Sequence, residues 1–95
     1  MKKISLKKLL KLKNINLIDV RNQKDFLNFN INFSINIPFI ELYNNYHNYL
    51  NINEKYYIIC EGGYQSKKIC KHLIKKGYNV IHVKRGIKNL YKFNF

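Results

Sequence analysis

Short apolar runs that alternate with segments of helical periodicity constrain the fold of this chain more than any other feature. The runs at Asn16 to Val20, Tyr56 to Ile59 and Val80 to Val83 predict strands. A short, nearly continuous apolar run is typical of a central parallel strand, which is buried on both faces. The alternation therefore predicts an α/β sandwich around a mostly parallel sheet, a fold in which ligands bind outside the carboxyl ends of the strands.

Helices are predicted between the strands from N-cap residues, hydrophobic spacing and a glycine stop. They extend from Ser5 to near Asn14, over a brief segment capped by Asn22, from Phe39 to Leu50 and from the glycine loop to Gly77, with a last helical turn or two after Gly86. Between Ile31 and Pro38 apolar and polar residues alternate, which predicts a half-buried strand or extended segment.

The length of 95 residues is enough for one hydrophobic core, so residues 1–95 are expected to form a single domain. No apolar run approaches the roughly 18 to 20 residues that cross a bilayer, so no membrane partner is expected. The basic N-terminus is not followed by a long apolar stretch or a cleavage site of small residues. These features favour a cytoplasmic location.

The formal net charge of +13 is the usual mark of a protein that binds nucleic acid or anionic membranes. Here the lysines cluster only at Lys2 to Lys13 and Lys67 to Lys76, on the polar faces of predicted helices. Solvated helix faces account for this pattern, so nucleic acid is not expected as a partner. The positive charge still favours anionic substrates.

Cys60 follows the predicted strand Tyr56 to Ile59 and opens a glycine loop, 60–66, that leads into a helix. A thiol in this position faces N–H groups that have no intrahelical partner, and their partial positive charge favours an accessible thiolate. Gly62 and Gly63 allow a tight curl or the close approach of a ligand. Two interpretations stay open on position alone: a nucleophile in an anion-binding loop, or a buried structural cysteine before an ordinary glycine turn.

The remaining thiol and the histidines give no sign of a disulfide or a metal site. Cys70 lies in the middle of the predicted helix, where a small core residue is expected, and a reducing compartment disfavours a disulfide. No Cys-x-x-Cys pair occurs, and His47, His72 and His82 are scattered, so each is assigned to the surface or to packing. No metal and no organic cofactor are expected.

Four stretches, in order and at matching spacing, resemble the rhodanese family of single-domain sulfurtransferases. They are Leu17-Ile18-Asp19-Val20-Arg21 with Asp25-Phe26, Ser34 to Pro38, Ile58-Ile59-Cys60 with Gly63 and Ser66, and Gly77 to Val80 with Gly86-Ile87. The resemblance spans nearly the whole chain. It implies a rhodanese-like three-layer sandwich, with helices on both sides of a mostly parallel sheet.

The resemblance implies that Cys60 takes the outer sulfur of a donor as a persulfide and passes it to a nucleophilic acceptor. The donor would be a small anion such as thiosulfate or a protein persulfide, and the acceptor a thiol or a protein. The loop backbone would bind the donor with converging N–H groups, and it comprises Glu61, Gly62, Gly63, Tyr64, Gln65 and Ser66. Ser66 is expected to cap the helix or to add a hydroxyl donor. Asp19 and Arg21 match positions expected to form a structural polar pair.

Two loop residues depart from the family pattern. Gln65 stands where active members usually carry a basic residue, which removes a charge-assisted contact to an anionic donor. Glu61 adds a negative charge beside the sulfur and is expected to repel a dianion. The alternative function is therefore a catalytically weak interaction or regulatory module. Ser66 stands where the phosphatases of this fold need an arginine, so phosphatase and arsenate reductase activities are not expected.

Overall fold

Five parallel strands form one sheet in the computed structural model, which describes residues 1–92. The strands are β1 (Lys3–Ile4), β2 (Asn16–Asp19), β3 (Ser34–Asn36), β4 (Lys55–Ile59) and β5 (Asn79–Val83). Their order across the sheet is β1-β5-β4-β2-β3, and every neighbouring pair is parallel. The structure thus confirms the predicted α/β fold and its parallel sheet.

Helices cover both faces of the sheet and form the two outer layers of the sandwich. They are α1 (Leu6–Leu9), α2 (Gln23–Asn28), α3 (Phe39–Tyr49), α4 (Tyr64–Lys75) and a 3₁₀ helix (Ile87–Lys92). One core cluster joins α3 and α4 to Ile18, Ile58 and Val80, and the other joins α1 and the 3₁₀ helix to Ile59 and Val83. The central strands β2, β4 and β5 are buried on both faces after their first residue, which explains why their sequences are almost continuously apolar. Among residues 1–92, no helix has the length and hydrophobicity to span a bilayer.

Local capping explains where three of the helices begin or end. Ser5 Oγ accepts a hydrogen bond from the N–H of Lys8 at 3.2 Å, and Asn22 Oδ1 accepts one from the N–H of Asp25 at 2.8 Å. Gly77 follows the end of α4 with a φ of +93°, the left-handed conformation that stops a helix. These caps agree with the sequence predictions.

The edges of the sheet differ from the prediction. The chain forms β1 before Ser5, and α1 ends at Leu9 rather than near Asn14. After Leu9 the hydrogen bonds become those of tight turns, from the N–H groups of Lys11 and Leu12 to the carbonyls of Lys8 and Leu9, and Asn14 is left-handed with a φ of +56°. The strand expected from Ile31 to Pro38 is only Ser34–Asn36. Ile31 and Ile37 are each 7% exposed, as the predicted alternation requires, but Ile35 on the edge strand β3 is 61% exposed, so the half-buried face is incomplete.

The carboxyl ends of β2 and β4 lie side by side, at the point where the strand order changes direction. Asp19 pairs in register with Ile59, and the N–H of Val20 bonds to the carbonyl of Ile59 at 2.9 Å. Such a switch point leaves a crevice between the loops that follow the two strands. Arg21 and Cys60 lie on these two loops.

Candidate active site

Cys60 is the first residue after β4, and its sulfur receives two backbone hydrogen bonds from the loop that it opens. The N–H groups of Gly63 and Ser66 donate to Cys60 Sγ at 3.1 and 3.2 Å. Hydrogen bonds of this kind favour negative charge on sulfur, and one to a charged group is worth about 1.5–3 kcal/mol. The Cys60 residue is only 2% exposed, so the thiol is more enclosed than the sequence led us to expect.

Ser66 closes the loop from the helix side. Its hydroxyl lies 3.3 Å from Cys60 Sγ and donates to the carbonyl of Gly63 at 3.2 Å. Of the two roles predicted for Ser66, capping is wrong, because α4 begins at Tyr64 with Gly63 as its N-cap. The N–H groups of Tyr64 and Gln65 are the first two of α4 and have no hydrogen-bond partner within residues 1–92, so they are free to donate to an anion.

The two glycines of the loop differ in what they permit. Gly63 has a φ of +97°, and a Cβ atom added there would lie 2.8 Å from the backbone nitrogen of Arg85. Gly62 is exposed, and a Cβ atom added there meets nothing within 4 Å. The tight curl predicted from the pair therefore depends on Gly63, whose N–H is one of the two aimed at the sulfur.

Asp19 and Arg21 form a buried ion pair at the end of β2. Arg21 donates to both carboxylate oxygens of Asp19, with Nη2 2.9 Å from Oδ2 and Nε 3.2 Å from Oδ1. Arg21 Nη2 also bonds to the carbonyl of Phe29. Burial acts to lower the pKa of Arg21, but its hydrogen bonds and charge interaction with Asp19 and Glu61 raise it.

Glu61 forms a second ion pair with Arg21. Its Oε1 lies 3.5 Å from Arg21 Nη1, and its side chain is 45% exposed. The negative charge that was expected to repel a dianion is therefore partly balanced by Arg21. This contact also connects the loop after β2 to the loop after β4.

His82 contacts the same loop from the neighbouring strand β5. This contact was not predicted from the sequence. His82 is 5% exposed, and its Nε2 is 2.9 Å from the carbonyl of Gly63. Nε2–H is the donor in this bond, since a carbonyl can only accept, and Nδ1 has no partner among residues 1–92. Burial, the largest influence, lowers the pKa of His82, against the opposing effect of the Gly63 carbonyl. A polar residue inside the apolar run Val80 to Val83 was the signal that could have identified it.

The outer face of the loop is open to solvent. Tyr64 is 80% exposed and Gln65 is also exposed, so these two side chains form the rim. Beside Gln65 runs a shallow groove of about 380 Å³, lined by Val20, Asn22, Pro38, Phe39, Ile40 and Gln65. Every one of these lining side chains is uncharged.

Cys70 lies inside the core one helical turn beyond Ser66. It is fully buried, and burial together with the neighbouring Cys60 raises the pKa of its thiol to about 12. Both thiols are free rather than bridged. Cys70 is therefore an unreactive core residue, and within residues 1–92 no cluster of His, Cys, Asp and Glu has the composition of a metal site.

Arg85 and Gly86 are further neighbours of the loop, a contact that was not predicted from the sequence. A Cβ atom added at Gly86 would lie 2.3 Å from the carbonyl oxygen of Cys60. The N–H groups of Ile87 and Lys88 bond to the carbonyls of Cys60 and Glu61, each at 2.9 Å. The segment after β5 therefore supports the backbone of the segment after β4.

Comparison with known proteins identifies the fold. Residues 3–92 match the family model described as Rhodanese-like domain. The structure of a Staphylococcus saprophyticus protein is 31% identical with a TM-score of 0.84, and the alignment covers 94% of this chain and 92% of that one. A rhodanese-like domain protein from Staphylococcus aureus is 32% identical, with a TM-score of 0.79 and coverage of 92% and 88%. A rhodanese-related protein from Thermoplasma volcanium is 28% identical, with a TM-score of 0.84 and coverage of 100% and 95%. No curated protein shows significant similarity to this chain.

Proposed function

This chain belongs to the family of rhodanese-like domains, and from that membership we propose that it is a sulfurtransferase that carries sulfane sulfur as a persulfide on Cys60. Its donor is a small anion such as thiosulfate or a protein persulfide, and its acceptor is a thiol or a protein. Transfer of this kind needs a free thiol, which fits the reducing cytoplasm expected from the sequence.

The two N–H groups aimed at Cys60 Sγ are the observation that most directly supports this function. They stabilise negative charge on the attacking sulfur, and the N–H groups of Tyr64 and Gln65, the first two of α4, would donate to the added sulfur. The hydrogen bond from His82 to the Gly63 carbonyl keeps the loop in this conformation.

The reaction with thiosulfate balances without a cofactor. The Cys60 thiolate attacks the outer sulfur of thiosulfate, a new S–S bond forms, and the S–S bond of the donor breaks. The electron pair of that bond leaves with sulfite, and Cys60 becomes a persulfide anion. An acceptor such as cyanide then attacks the outer sulfur, leaves as thiocyanate and restores the thiolate.

The direct test is thiosulfate-to-cyanide sulfur transfer combined with mass spectrometry of the intact chain. We expect the wild type and Cys70→Ala to gain the mass of one sulfur atom and to form thiocyanate, and Cys60→Ala to do neither. Cys70→Ala is the matched control because it removes the other buried thiol. Equal thiocyanate formation by wild type and Cys60→Ala would refute the function.

A second candidate is an interaction or regulatory module with little turnover. The 2% exposure of Cys60 and the uncharged groove beside Gln65 favour it, because both limit the approach of an anionic donor. This function predicts no sulfur on Cys60 after incubation with thiosulfate, polysulfide and a persulfidated protein while the fold stays intact by circular dichroism. A sulfur adduct from any of these donors counts against it.

A further inference from the structure

Arg85 has an unusual backbone conformation directly beside the candidate active-site loop. Its φ is +65°, in the left-handed region where a side chain is strained. The turn that contains it, together with Gly86 at φ +60°, brings the N–H groups of Ile87 and Lys88 to the carbonyls of the loop. Glycine would adopt this conformation at position 85 without strain, so the turn alone gives no reason for an arginine.

The backbone of Arg85 contacts the loop at Gly63. A Cβ atom added at Gly63 would lie 2.8 Å from the nitrogen and 3.3 Å from the Cα of Arg85, which leaves no space between the two segments. The N–H of Gly63 is one of the two donors to Cys60 Sγ. The Arg85 side chain is exposed and, within residues 1–92, its guanidinium has no ion-pair partner.

Neither the loop 60–66 nor the Asp19–Arg21 pair offers a free cation to an anionic donor. Cations outside them include Lys67 and Lys68, which follow the loop on α4, and Lys84 and Arg85 in the turn after β5; from that turn, Arg85 is in backbone contact with the loop at Gly63. Arg21 is engaged by Asp19 and Glu61, so two carboxylates face one guanidinium there. Gln65 is uncharged, and Glu61 is the only charged side chain of the loop 60–66. A dianion at Cys60 therefore needs a cation from outside the loop, and Arg85 starts from a backbone in contact with it.

We propose that Arg85 binds the oxyanion end of the sulfur donor and sets the preference of this site for sulfur oxyanions over neutral reagents. The assignment rests on the proposed function of Cys60 and names a specificity-determining residue for it. Arg85 replaces, from the turn after β5, the positive charge that Gln65 does not supply.

The test compares the alkylation of Cys60 by iodoacetate, an anion, with alkylation by iodoacetamide, its neutral analogue. The ratio of the two second-order rate constants, followed by peptide mass spectrometry at low ionic strength, isolates charge recognition from thiol reactivity. Arg85→Asn removes the charge and tolerates the left-handed conformation. Lys84→Asn removes the neighbouring charge in the same turn, and Arg85→Lys restores the charge at position 85.

We expect the ratio to fall about three- to tenfold in Arg85→Asn, to stay near the wild-type value in Lys84→Asn and to recover in Arg85→Lys. Persulfide formation from thiosulfate should fall by about the square of that factor, because the interaction energy of a dianion is twice as large. An unchanged ratio in Arg85→Asn, or an equal fall in Lys84→Asn, would overturn the assignment.

The two readouts separate this inference from the proposed function. If the alkylation ratio depends on Arg85 but neither the wild type nor any variant takes sulfur from thiosulfate, polysulfide or a persulfidated protein, anion recognition by Arg85 stands and sulfur transfer is refuted. If persulfide forms at the same rate with and without Arg85, sulfur transfer stands and the role of Arg85 is refuted. If Cys60 neither reacts with either alkylating reagent nor takes sulfur from any of these donors, both the role of Arg85 and sulfur transfer are overturned.

Discussion

Substitution of Gly86 by alanine tests how the segment after β5 supports the candidate site. The new Cβ atom would lie 2.3 Å from the carbonyl oxygen of Cys60 and 2.5 Å from that of Glu61. Ordinary C···O contacts are about 3.3–3.6 Å, so the two backbones must separate by about 1 Å. Both neighbours are backbone atoms that cannot rotate away. The left-handed φ of +60° adds strain for alanine.

The two effects set the expected loss of stability. An overpacked contact destabilises by about 1–3 kcal/mol and the left-handed conformation by about 1 kcal/mol. The free energy of unfolding should therefore fall by about 2–4 kcal/mol, which lowers the melting temperature by roughly 10–25 °C in a domain of this size. Because the displaced carbonyl belongs to Cys60, persulfide formation should fall roughly a hundredfold, the usual effect of a 1 Å misplacement.

Thermal unfolding followed by circular dichroism, together with the thiosulfate assay below the transition, measures both losses. Gly62→Ala is the matched control, since it adds the same methyl group where nothing lies within 4 Å, and it should change stability by less than about 0.5 kcal/mol. If Gly86→Ala melts at the wild-type temperature, or loses no more stability than Gly62→Ala, the close packing of the two segments is not what holds the loop.

Three further outcomes follow from other contacts. Asp19→Asn leaves the buried Arg21 without its carboxylate and should lower the free energy of unfolding, measured in urea, by about 3 kcal/mol. Glu61→Gln, at the more exposed partner, should change it by less than about 1 kcal/mol. Equal losses in the two variants would contradict the argument from burial. Because the pKa of His82 is lowered, the unfolded chain binds its proton first, and stability should fall as the pH drops below about 6.5, by at most about 1.4 kcal/mol per pH unit. His82→Gln should lose this dependence, and equal pH profiles would exclude it. Arg85→Gly should raise the free energy of unfolding by about 0.5–1 kcal/mol through relief of strain, and a destabilised variant would refute the strain.

Much of the candidate site is predictable because it follows one strand and begins one helix. Cys60 and the loop that it opens are contiguous in sequence, and a strand, two glycines and an amphipathic helix are recognisable from local patterns. Loop side chains point outward when the main chain faces a ligand, so the sequence predicts Glu61 and Tyr64 at the rim, where their side chains are partly and largely exposed. Asp19 and Arg21 are two positions apart in the chain, so their pairing can also be predicted from the sequence.

The neighbours that come from other strands could not be predicted in this way. The Arg21–Glu61 contact, the His82–Gly63 hydrogen bond and the approach of Gly86 to Cys60 join residues about 20 to 40 positions apart. Nothing in a local pattern indicates which polar residue of a buried strand faces which loop. The length of β3 was also mispredicted, because an edge strand depends on its single neighbour rather than on its own alternation of residues.

The amino-acid sequence by itself determined that this chain forms a parallel α/β sheet and that a thiol stands where a strand gives way to a helix. Hydrophobic periodicity and helix capping depend on residues close together in the chain, so they can be recognised from the amino-acid sequence alone. Only the tertiary structure decided what surrounds that thiol, because β5, β4 and β2 are parallel neighbours whose carboxyl ends lie side by side at the same end of the sheet. That adjacency gives the Cys60 loop its ion pair, its histidine and its arginine, and it results from packing between segments distant in sequence.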